Sequence, residues 1–333
     1  MRKTRRHKKH KGSALTCSLI AVLGVFLLSV FFLLLQIWEK EHGAFQSYEI
    51  AEDTLTYEGE EYVRKDQVET FLVLGLDKFE GAFENDSYNN DRQADFLMLL
   101  VLDNEAKECS AIHINRDTMA EMNVLGVAGD RVGTVKGQIA LAHTYGNGRD
   151  VSCRNTADAV SELLMGVKID HYISVVMDSV MVMNDLVGGV EVTVLEDFKG
   201  IDDKLVKGQQ VVLQGEQALT YVRARQGMED GSNRARMERQ QQYLQALYEK
   251  YTQCVEADEE FIVEASLAMS DYMISDRSVT QLQELARKVS EYEFTAMDEL
   301  EGKSVAGERF VEFYPEEDSI LKVVVERFYE RKE

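Results

Sequence analysis

The chain has 333 residues and a formal net charge of −22, with 37 Lys and Arg residues against 59 Asp and Glu residues. Hydrophobic residues make up 45% and charged residues 29%, which is a globular composition and excludes a wholly disordered chain. A single proline excludes proline-rich linkers and collagen-like segments, and four cysteines are too few for a disulfide scaffold.

The amino-terminal segment has the pattern of a membrane anchor. Residues 1–12 hold seven basic side chains and no acidic one, and they precede 23 uncharged residues from Leu15 to Ile37. About 20 apolar residues span a bilayer as a helix. A cleaved signal peptide would have a shorter apolar region and a small-residue cleavage site, so we predict a retained transmembrane helix at residues 13–38. The positive-inside rule then places the basic tail in the cytoplasm and residues 39–333 outside.

Charge separates the tail from the rest of the chain. Seven of the 37 basic residues lie in the tail, so the outer part carries 30 basic and 59 acidic residues, a net −29. That charge repels a phosphate backbone, which excludes nucleic acid as an expected partner. The tail is expected to contact anionic membrane lipid. Cys109 and Cys153 lie in the outer part, where oxidation is permitted, and a disulfide between them is one hypothesis.

In chain order, the outer part begins with a stalk and a short hairpin at residues 39–64, in which Glu58-Gly59 forms the turn. Continuous apolar runs then predict buried strands at Phe71–Leu76 and Phe96–Leu102. Shorter strands are predicted at Ala111–Ile114, His171–Met177, Val190–Val194 and Arg309–Tyr314. Helices are predicted at Gly137–Tyr145, Asn155–Leu164, Ser179–Val187, Gly215–Ala224, Ala235–Lys250, Phe261–Met269, Val279–Val289 and Ser319–Tyr329. Strands alternating with helices indicate an α/β or α+β domain, which we place at residues 65–250, followed by an acidic helical extension at 251–333.

Charged side chains lie at the ends of the first three buried strands. Asp77 directly follows the first strand, Asp95 directly precedes the second, and Arg116 and Asp117 follow the third. Strand ends are where α/β proteins place their chemistry. Two carboxylates suit Mg²⁺, which proteins usually hold by one or two carboxylates together with substrate phosphates. The alternative for any one of these residues is an ordinary salt bridge at a strand end.

A cluster of five arginines stands out in an acidic chain. Guanidinium groups match phosphate oxygens bidentately, so the cluster together with Arg116 is suited to a pyrophosphate. A solvated helix face, paired with Glu229, Asp230 and Glu238, would equally explain it, and composition alone leaves both interpretations open. The five residues are Arg223, Arg225, Arg234, Arg236 and Arg239.

An ordered set of short motifs between Phe71 and Tyr248 resembles the LytR-CpsA-Psr family of bacterial cell-envelope phosphotransferases. Each motif alone is weak, and their order carries the resemblance. The matched segments are FLVLGLD at Phe71–Asp77, RQADFLMLL at Arg92–Leu100, INRDT at Ile114–Thr118, IDHY at Ile169–Tyr172, DLVGGV at Asp185–Val190, LQGEQALTYVRAR at Leu213–Arg225 and RMERQ at Arg236–Gln240.

This resemblance implies a single α/β domain, in which a central mixed β-sheet packs between helices and a hydrophobic channel holds a polyprenyl chain. It implies transfer of a phosphoglycan (teichoic acid, capsule or another secondary wall polymer) from a polyprenyl-pyrophosphate carrier to a peptidoglycan hydroxyl, assisted by Mg²⁺ or Mn²⁺. The protein would be a single-pass cell-membrane protein of a Gram-positive-type bacterium. A non-catalytic protein that binds the same lipid-linked glycan, and a pyrophosphatase or hydrolase acting on that carrier, are the alternatives.

The resemblance also implies roles for individual residues. Asp77, Asp95 and Arg116 would be catalytic, with Asp77 and Asp95 holding the metal and Asp77 the candidate base. Asp117 would lie beside them. The pyrophosphate would be bound by Arg92, Arg116, Arg223, Arg225, Arg236 and Arg239.

Three departures from the family pattern indicate a divergent subgroup. Lys78 follows the first aspartate where the family often has an arginine, and lysine lacks the bidentate fork. The stretch Gln138–His143 lacks the Lys and Asn of the corresponding family segment. Gln93 and Ala94 separate Arg92 from Asp95, a spacing one residue longer than the family's.

Overall fold

The computed structural model describes residues 53–77 and 92–332. The basic tail, the transmembrane helix predicted at residues 13–38 and the stalk predicted before residue 53 lie outside the described residues. Within the described ranges, no helix combines the length and the apolar character needed to cross a membrane.

The described part of the chain contains both strands and helices, as the sequence predicts, with seven strands before the first α-helix and a mixture of both afterwards. The strands are β1 (Thr54–Tyr57), β2 (Glu60–Arg64), β3 (Val68–Leu76), β4 (Ala94–Asp103), β5 (Glu108–Ile114), β6 (Met119–Leu125), β7 (Arg131–Gln138), β8 (His171–Val176), β9 (Val190–Thr193), β10 (Gln210–Leu213), β11 (Met273–Ser275), β12 (Glu293–Glu299), β13 (Gly302–Ala306), β14 (Val311–Pro315) and β15 (Tyr329–Arg331). The α-helices are α1 (Asp150–Leu163), α2 (Ser179–Leu186), α3 (Glu216–Arg223), α4 (Asn233–Ala257), α5 (Phe261–Met269), α6 (Val279–Ser290) and α7 (Glu317–Phe328).

A six-stranded mixed sheet forms the centre of the domain, with the strand order β11-β8-β3-β4-β5-β12. β3 runs parallel to β8, and β5 runs parallel to β12, whereas β4 lies antiparallel to both of its neighbours. β3 and β4, which have continuous apolar runs, lie in the middle of this sheet. Their side chains are apolar on both sides because both faces of the sheet are covered there. The two buried strands predicted from these runs, and the α/β class, are confirmed.

The two faces of the sheet pack against different helices. On the first face, Leu72 and Leu97 pack with Val160 of α1 and Val324 of α7. On the second face, Phe71 and Cys109 pack with Val289 of α6. Cys153 lies in the core of the first face, so the sheet separates it from Cys109, and both thiols are free. The hypothesised disulfide is therefore wrong.

No break in the structure marks the domain boundary predicted at residue 250. Helix α4 continues through it to Ala257, and the following segment adds β11 to one edge of the central sheet and β12 to the other. Residues 251–332 thus complete the domain and contain strands as well as helices. The acidic composition conceals β12 because an edge strand buries only part of its surface, and the sequence of β12 begins and ends with Glu.

Smaller predicted elements are confirmed in part. β1 and β2 form the predicted hairpin, with Glu58 and Gly59 at φ values of 51° and 84°, as a two-residue turn requires. The helix predicted at Gly137–Tyr145 is instead the end of β7 followed by a 3₁₀ helix at Ile139–Thr144.

Candidate active site

A polar cavity of about 980 Å³ opens where the carboxyl ends of β3 and β5 meet the amino end of β4. Asp77 follows β3, Arg116 and Asp117 follow β5, and Asp95 is the second residue of β4. β4 is antiparallel to both neighbours, so its start lies beside their ends. The topology thereby brings these four strand-end side chains to one cavity wall.

The charged lining of this polar cavity has an excess of guanidinium groups. Residues around the end of α3 and the start of α4 supply much of the opposite wall, and the loop before β14 adds one more arginine. A cavity with five arginines and three aspartates attracts anions, although the whole chain carries −22. These residues are Arg116, Arg223, Arg225, Arg236 and Arg309, with Asp77, Asp95 and Asp117.

Arg116 is held at the centre of the strand-end group. Its guanidinium forms an ion pair with Asp95, donates a hydrogen bond to Gln93, and lies 3.6 Å from Asp117 through Nε. Burial, opposed by the neighbouring Asp117, lowers the pKa of Arg116. Burial raises the pKa of Asp117, which accepts a 2.8 Å hydrogen bond from Gln138. The arrangement fixes the direction of Arg116 before any ligand binds.

Arg236 is the most deeply buried guanidinium in the cavity wall, with 7% of its surface exposed. Its Nη2 donates to Asn233 Oδ1 at 2.6 Å and to the backbone oxygen of Asp95 at 3.2 Å. Its Nε has no hydrogen-bond partner among the described residues. Burial, reinforced by Arg116, lowers the pKa of Arg236 to about 10, so it stays protonated at neutral pH. A buried cation with an unused donor favours an anionic ligand.

Arg223 and Arg225 reach the same cavity because α3 ends between them. Helix α3 stops at Arg223, and the next residue, Ala224, adopts the extended conformation with φ −54° and ψ 133°. Two residues that would diverge on a helix therefore both line the cavity. Arg223 forms an ion pair with Asp77, which connects the α3 wall with the end of β3.

Two predicted pyrophosphate ligands do not line the cavity. Arg239 is 1% exposed and lies behind the wall, where it pairs with Glu196 and donates to the backbone oxygens of Tyr221 and Ala224. It therefore fixes the carboxyl end of α3, a contact that differs from the direct contact with pyrophosphate predicted for it. Arg92 precedes β4, and its backbone oxygen accepts a 3.0 Å hydrogen bond from His143.

Both interpretations of the arginine cluster hold for different members. Arg234 is exposed and pairs with Glu238 at 3.3 Å, as a solvated helix face predicts. Arg223, Arg225 and Arg236 line the polar cavity instead. The difference follows from helical geometry, since residues two apart in α4 face different directions.

Sequence reasoning missed six polar residues of the cavity, which are Arg309, Gln93, Gln138, Gln240, Thr220 and Gln226. Arg309 comes from the loop before β14, nearly 200 residues after Arg116, and no local pattern connects the two. Gln93 and Gln138 contact Arg116 and Asp117. Gln240 ends the motif RMERQ, which was the available signal for it.

Two apolar cavities of about 250 Å³ each continue from the polar cavity, between the second face of the sheet and α4. The first shares Met177 and Gln240 with the polar cavity. The second shares Met183, Leu244 and Leu247 with the first. Gly75 lines the first apolar cavity, where an added Cβ would lie 2.8 Å from Cβ of Phe96. The polar cavity and the two apolar cavities thus adjoin through shared lining residues.

Comparison with known proteins finds relatives that are named for cell-wall functions. The polyisoprenyl-teichoic acid–peptidoglycan teichoic acid transferase TagU of Bacillus licheniformis is 25% identical over 248 residues, which cover 74% of this chain and 73% of TagU. The cell wall biosynthesis protein LcpA of Corynebacterium glutamicum is 30% identical over 184 residues, covering 50% of this chain and 33% of LcpA.

Solved structures share the fold. TagT bound to LI-WTA superimposes with a TM-score of 0.59 at 20% identity, covering 78% of this chain and 89% of that chain. Bacillus subtilis TagV gives 0.58 at 23% identity, covering 79% and 98%. The LytR_cpsA_psr family model matches residues 38–314, more than half of the chain. That match over most of the chain leads to one conclusion: the chain belongs to the LytR_cpsA_psr family.

Proposed function

We propose that this protein transfers a phosphoglycan from a polyprenyl-pyrophosphate carrier to a hydroxyl of peptidoglycan. One observation carries the proposal, namely the junction of a positively charged cavity with an apolar one at Met177 and Gln240. A lipid pyrophosphate needs both environments side by side, because its head is anionic and its tail is hydrocarbon. Relatives such as TagU are named as teichoic acid transferases, which supports the same choice of substrate.

The apolar cavities suit the lipid tail. The first is lined almost wholly by apolar side chains, mainly from β3, β8, α2 and α4, among them Val73, Val175 and Leu244, and the lining of the second comes mainly from β4, β5, α4 and β12. The second apolar cavity extends the series past Met98 and Tyr248. Burial of hydrocarbon in such a space is favourable by about 25 cal/mol per Å² of apolar surface. We therefore assign the two apolar cavities to successive parts of the polyprenyl chain.

The polar cavity suits the pyrophosphate. Arg116, Arg223, Arg225 and Arg236 surround it, and the unused Nε of Arg236 supplies a donor for a phosphate oxygen. Phosphoryl transfer depends mainly on positioning and on neutralising charge. Because Arg116 is held by Asp95 and Gln93, its donors are oriented in advance of binding.

The donor set fits a divalent cation of the Mg²⁺ or Mn²⁺ type. Asp77 and Asp95 line the same cavity, and Mg²⁺ is commonly bound by one or two carboxylates together with substrate phosphates. Among the described residues no group of three or more acidic, His or Cys side chains is arranged to hold a metal without a substrate. When bound, the cation would supply further positive charge to the phosphate oxygens. Asp117 is engaged by Gln138 and lies near Arg116, so we do not assign it to the metal.

In the proposed reaction the acceptor hydroxyl attacks the phosphorus that carries the glycan. A new phosphorus–oxygen bond forms to peptidoglycan, the bond from that phosphorus to the bridging oxygen breaks, and polyprenyl phosphate leaves with the electron pair. The hydroxyl proton passes to a carboxylate, for which we propose Asp77 because it lines the cavity and its side chain is 55% exposed. The arginines stabilise the charge on the departing phosphate.

We propose that the domain works outside the cell, held to the membrane by the transmembrane helix predicted at residues 13–38. This location would bring the domain to a lipid carrier in the membrane and to peptidoglycan beyond it.

The test is a transfer assay with the full-length protein in detergent, a short-chain polyprenyl-pyrophosphate glycan and peptidoglycan fragments, with and without Mg²⁺. Metal-dependent phosphodiester product, lost in Asp95→Asn and Arg116→Ala, is the expected result. Lipid binding without product would favour a binding protein, and glycan phosphate released without an adduct would favour a hydrolase.

A further inference from the structure

A third kind of cavity, about 560 Å³ in volume, lies behind the polar cavity and is lined differently from it. We call it the rear cavity. Its walls come from the end of β5, the start of α4 and the β12–β14 region, which includes Asn115, Met237 and Phe313. None of its lining residues belongs to the polar cavity or to the two apolar cavities described above.

The rear cavity contains a buried polar side chain without a partner. His113 lines it and is 1% exposed, and its Nδ1 has no hydrogen-bond partner among the described residues. The ring packs against Phe96 with 5.0 Å between ring centroids, which fixes its direction. Buried polar atoms in folded proteins are nearly always hydrogen-bonded, so this nitrogen indicates a ligand that supplies the missing bond.

The charges in the rear cavity select against an anion. Glu299, Glu301 and Glu316 line it, whereas its one arginine, Arg234, already pairs with Glu238. Burial, reinforced by Arg236, lowers the pKa of His113 to about 3, so the imidazole is neutral and offers either a donor or an acceptor. Apolar surface from Met237, Leu300 and Phe313 completes the lining. Carboxylates and a neutral imidazole beside apolar surface match a ligand that donates hydrogen bonds from hydroxyl or amide groups and carries no negative charge.

The rear cavity stands back to back with the pyrophosphate region. Asn115 lines the rear cavity while the next residue, Arg116, lines the polar cavity. The same alternation holds for Met237 and Arg236. The partition is a hydrogen-bonded chain, in which Asn233 donates to Asn115 at 2.7 Å and accepts from Arg236 at 2.6 Å. A group bound in the rear cavity is thus one side chain away from the arginines.

We infer that the rear cavity is a subsite for an uncharged sugar residue that carries hydroxyl or acetamido groups. The inference rests on the proposed function, which supplies two sources of such a sugar, the glycan of the lipid donor and the glycan strand of the acceptor. His113 and the carboxylates would bind its polar groups, and Phe313 and Leu300 would pack on its ring. Specificity for the sugar would then come from the β12–β14 region.

The test measures binding to the full-length protein in detergent by calorimetry, with three probes. They are a polyprenyl pyrophosphate without sugar, the same lipid carrying a neutral N-acetylated disaccharide, and a glycan strand of N-acetylated sugars stripped of its peptides. His113→Phe keeps the ring contact with Phe96 and removes Nδ1. Ser304→Trp fills the rear cavity from the exposed strand β13, and Val305→Trp, at the neighbouring exposed position outside the cavity, is its matched control.

The inference expects His113→Phe and Ser304→Trp to weaken binding of a sugar-containing probe at least tenfold, with Val305→Trp and the sugar-free lipid unaffected. Loss confined to the disaccharide lipid identifies the donor as the source, and loss confined to the glycan strand identifies the acceptor. Sugar binding that is absent, or unchanged in both variants, would overturn the inference. So would binding of a cationic peptide that Glu299→Gln abolishes. Failure of the wild-type protein to bind the sugar-free lipid would instead count against the proposed function.

Discussion

Replacing Arg239 separates a positioning role from a direct contact with pyrophosphate. Arg239→Met removes a guanidinium that is 1% exposed and leaves Glu196, whose side chain is 12% exposed, without its partner. Breaking a buried ion pair on one side costs about 3–5 kcal/mol, and part of that cost here is the loss of hydrogen bonds to the carbonyls that end α3. For a domain of this size, about 2–4 °C of melting temperature is lost per kcal/mol, so we expect a fall of roughly 10 °C.

The double variant Arg239→Met/Glu196→Leu is the matched control. Replacing both charges by apolar groups of similar volume is often neutral, so most of the lost stability should return. Thermal unfolding and binding of a sugar-free polyprenyl pyrophosphate would be measured on all three proteins. If Arg239→Met kept its stability within about 0.5 kcal/mol but bound the lipid tenfold more weakly, the positioning role would be refuted and a direct contact established.

Three further predictions concern Arg116 in the polar cavity, Gly75 in the first apolar cavity and the pH dependence of the melting temperature. Arg116→Ala should lower the transfer rate by about 10²–10³-fold. Arg116→Lys should recover little of that rate, because a single ammonium group cannot contact Asp95 and Gln93 together as the guanidinium does. Single-turnover kinetics would measure both rates, and full rescue by lysine would contradict the prediction. Gly75→Val should narrow the first apolar cavity, because the added side chain meets Phe96, and should cost about 1–3 kcal/mol of stability. It should weaken binding of long polyprenyl chains more than binding of short ones. An equal loss of affinity for both chain lengths in calorimetry would argue against the assignment of this cavity to the lipid. Burial raises the pKa of Asp158 to about 6, so the folded state favours the protonated acid and loses stability as pH rises from about 4 through 6. Asp158→Asn should therefore raise the melting temperature at pH 8 and change it little at pH 4, and an equal effect at both pH values would contradict this.

Local patterns predicted the centre of the fold well. The continuous apolar runs of β3 and β4 predicted two buried strands, and the structure places both in the middle of the covered sheet. The strand-end residues Asp77, Asp95 and Arg116 were found for the same reason. These residues lie at the ends of the apolar runs, and the antiparallel order of β3, β4 and β5 brings them together.

The remainder depended on contacts that no local pattern encodes. Arg309 reaches the polar cavity only because the loop before β14 packs over the end of β5, where Phe313 donates a backbone hydrogen bond to Asp117. Arg239 and Arg236 looked equivalent in sequence, yet the end of α3 satisfies the donors of Arg239 and leaves Arg236 facing the cavity. The edge strand β12 was missed because its apolar residues are few and its ends are charged.

The most direct measurement of the central claim follows the phosphorus atom. The lipid donor would carry a radioactive label on the glycan-side phosphorus, and the full-length protein would be incubated with it, peptidoglycan fragments and Mg²⁺. The account predicts that the label appears in a phosphodiester on peptidoglycan and that unlabelled polyprenyl phosphate is released. Label that remained with the lipid, or left as free glycan phosphate while the acceptor stayed unmodified, would contradict it.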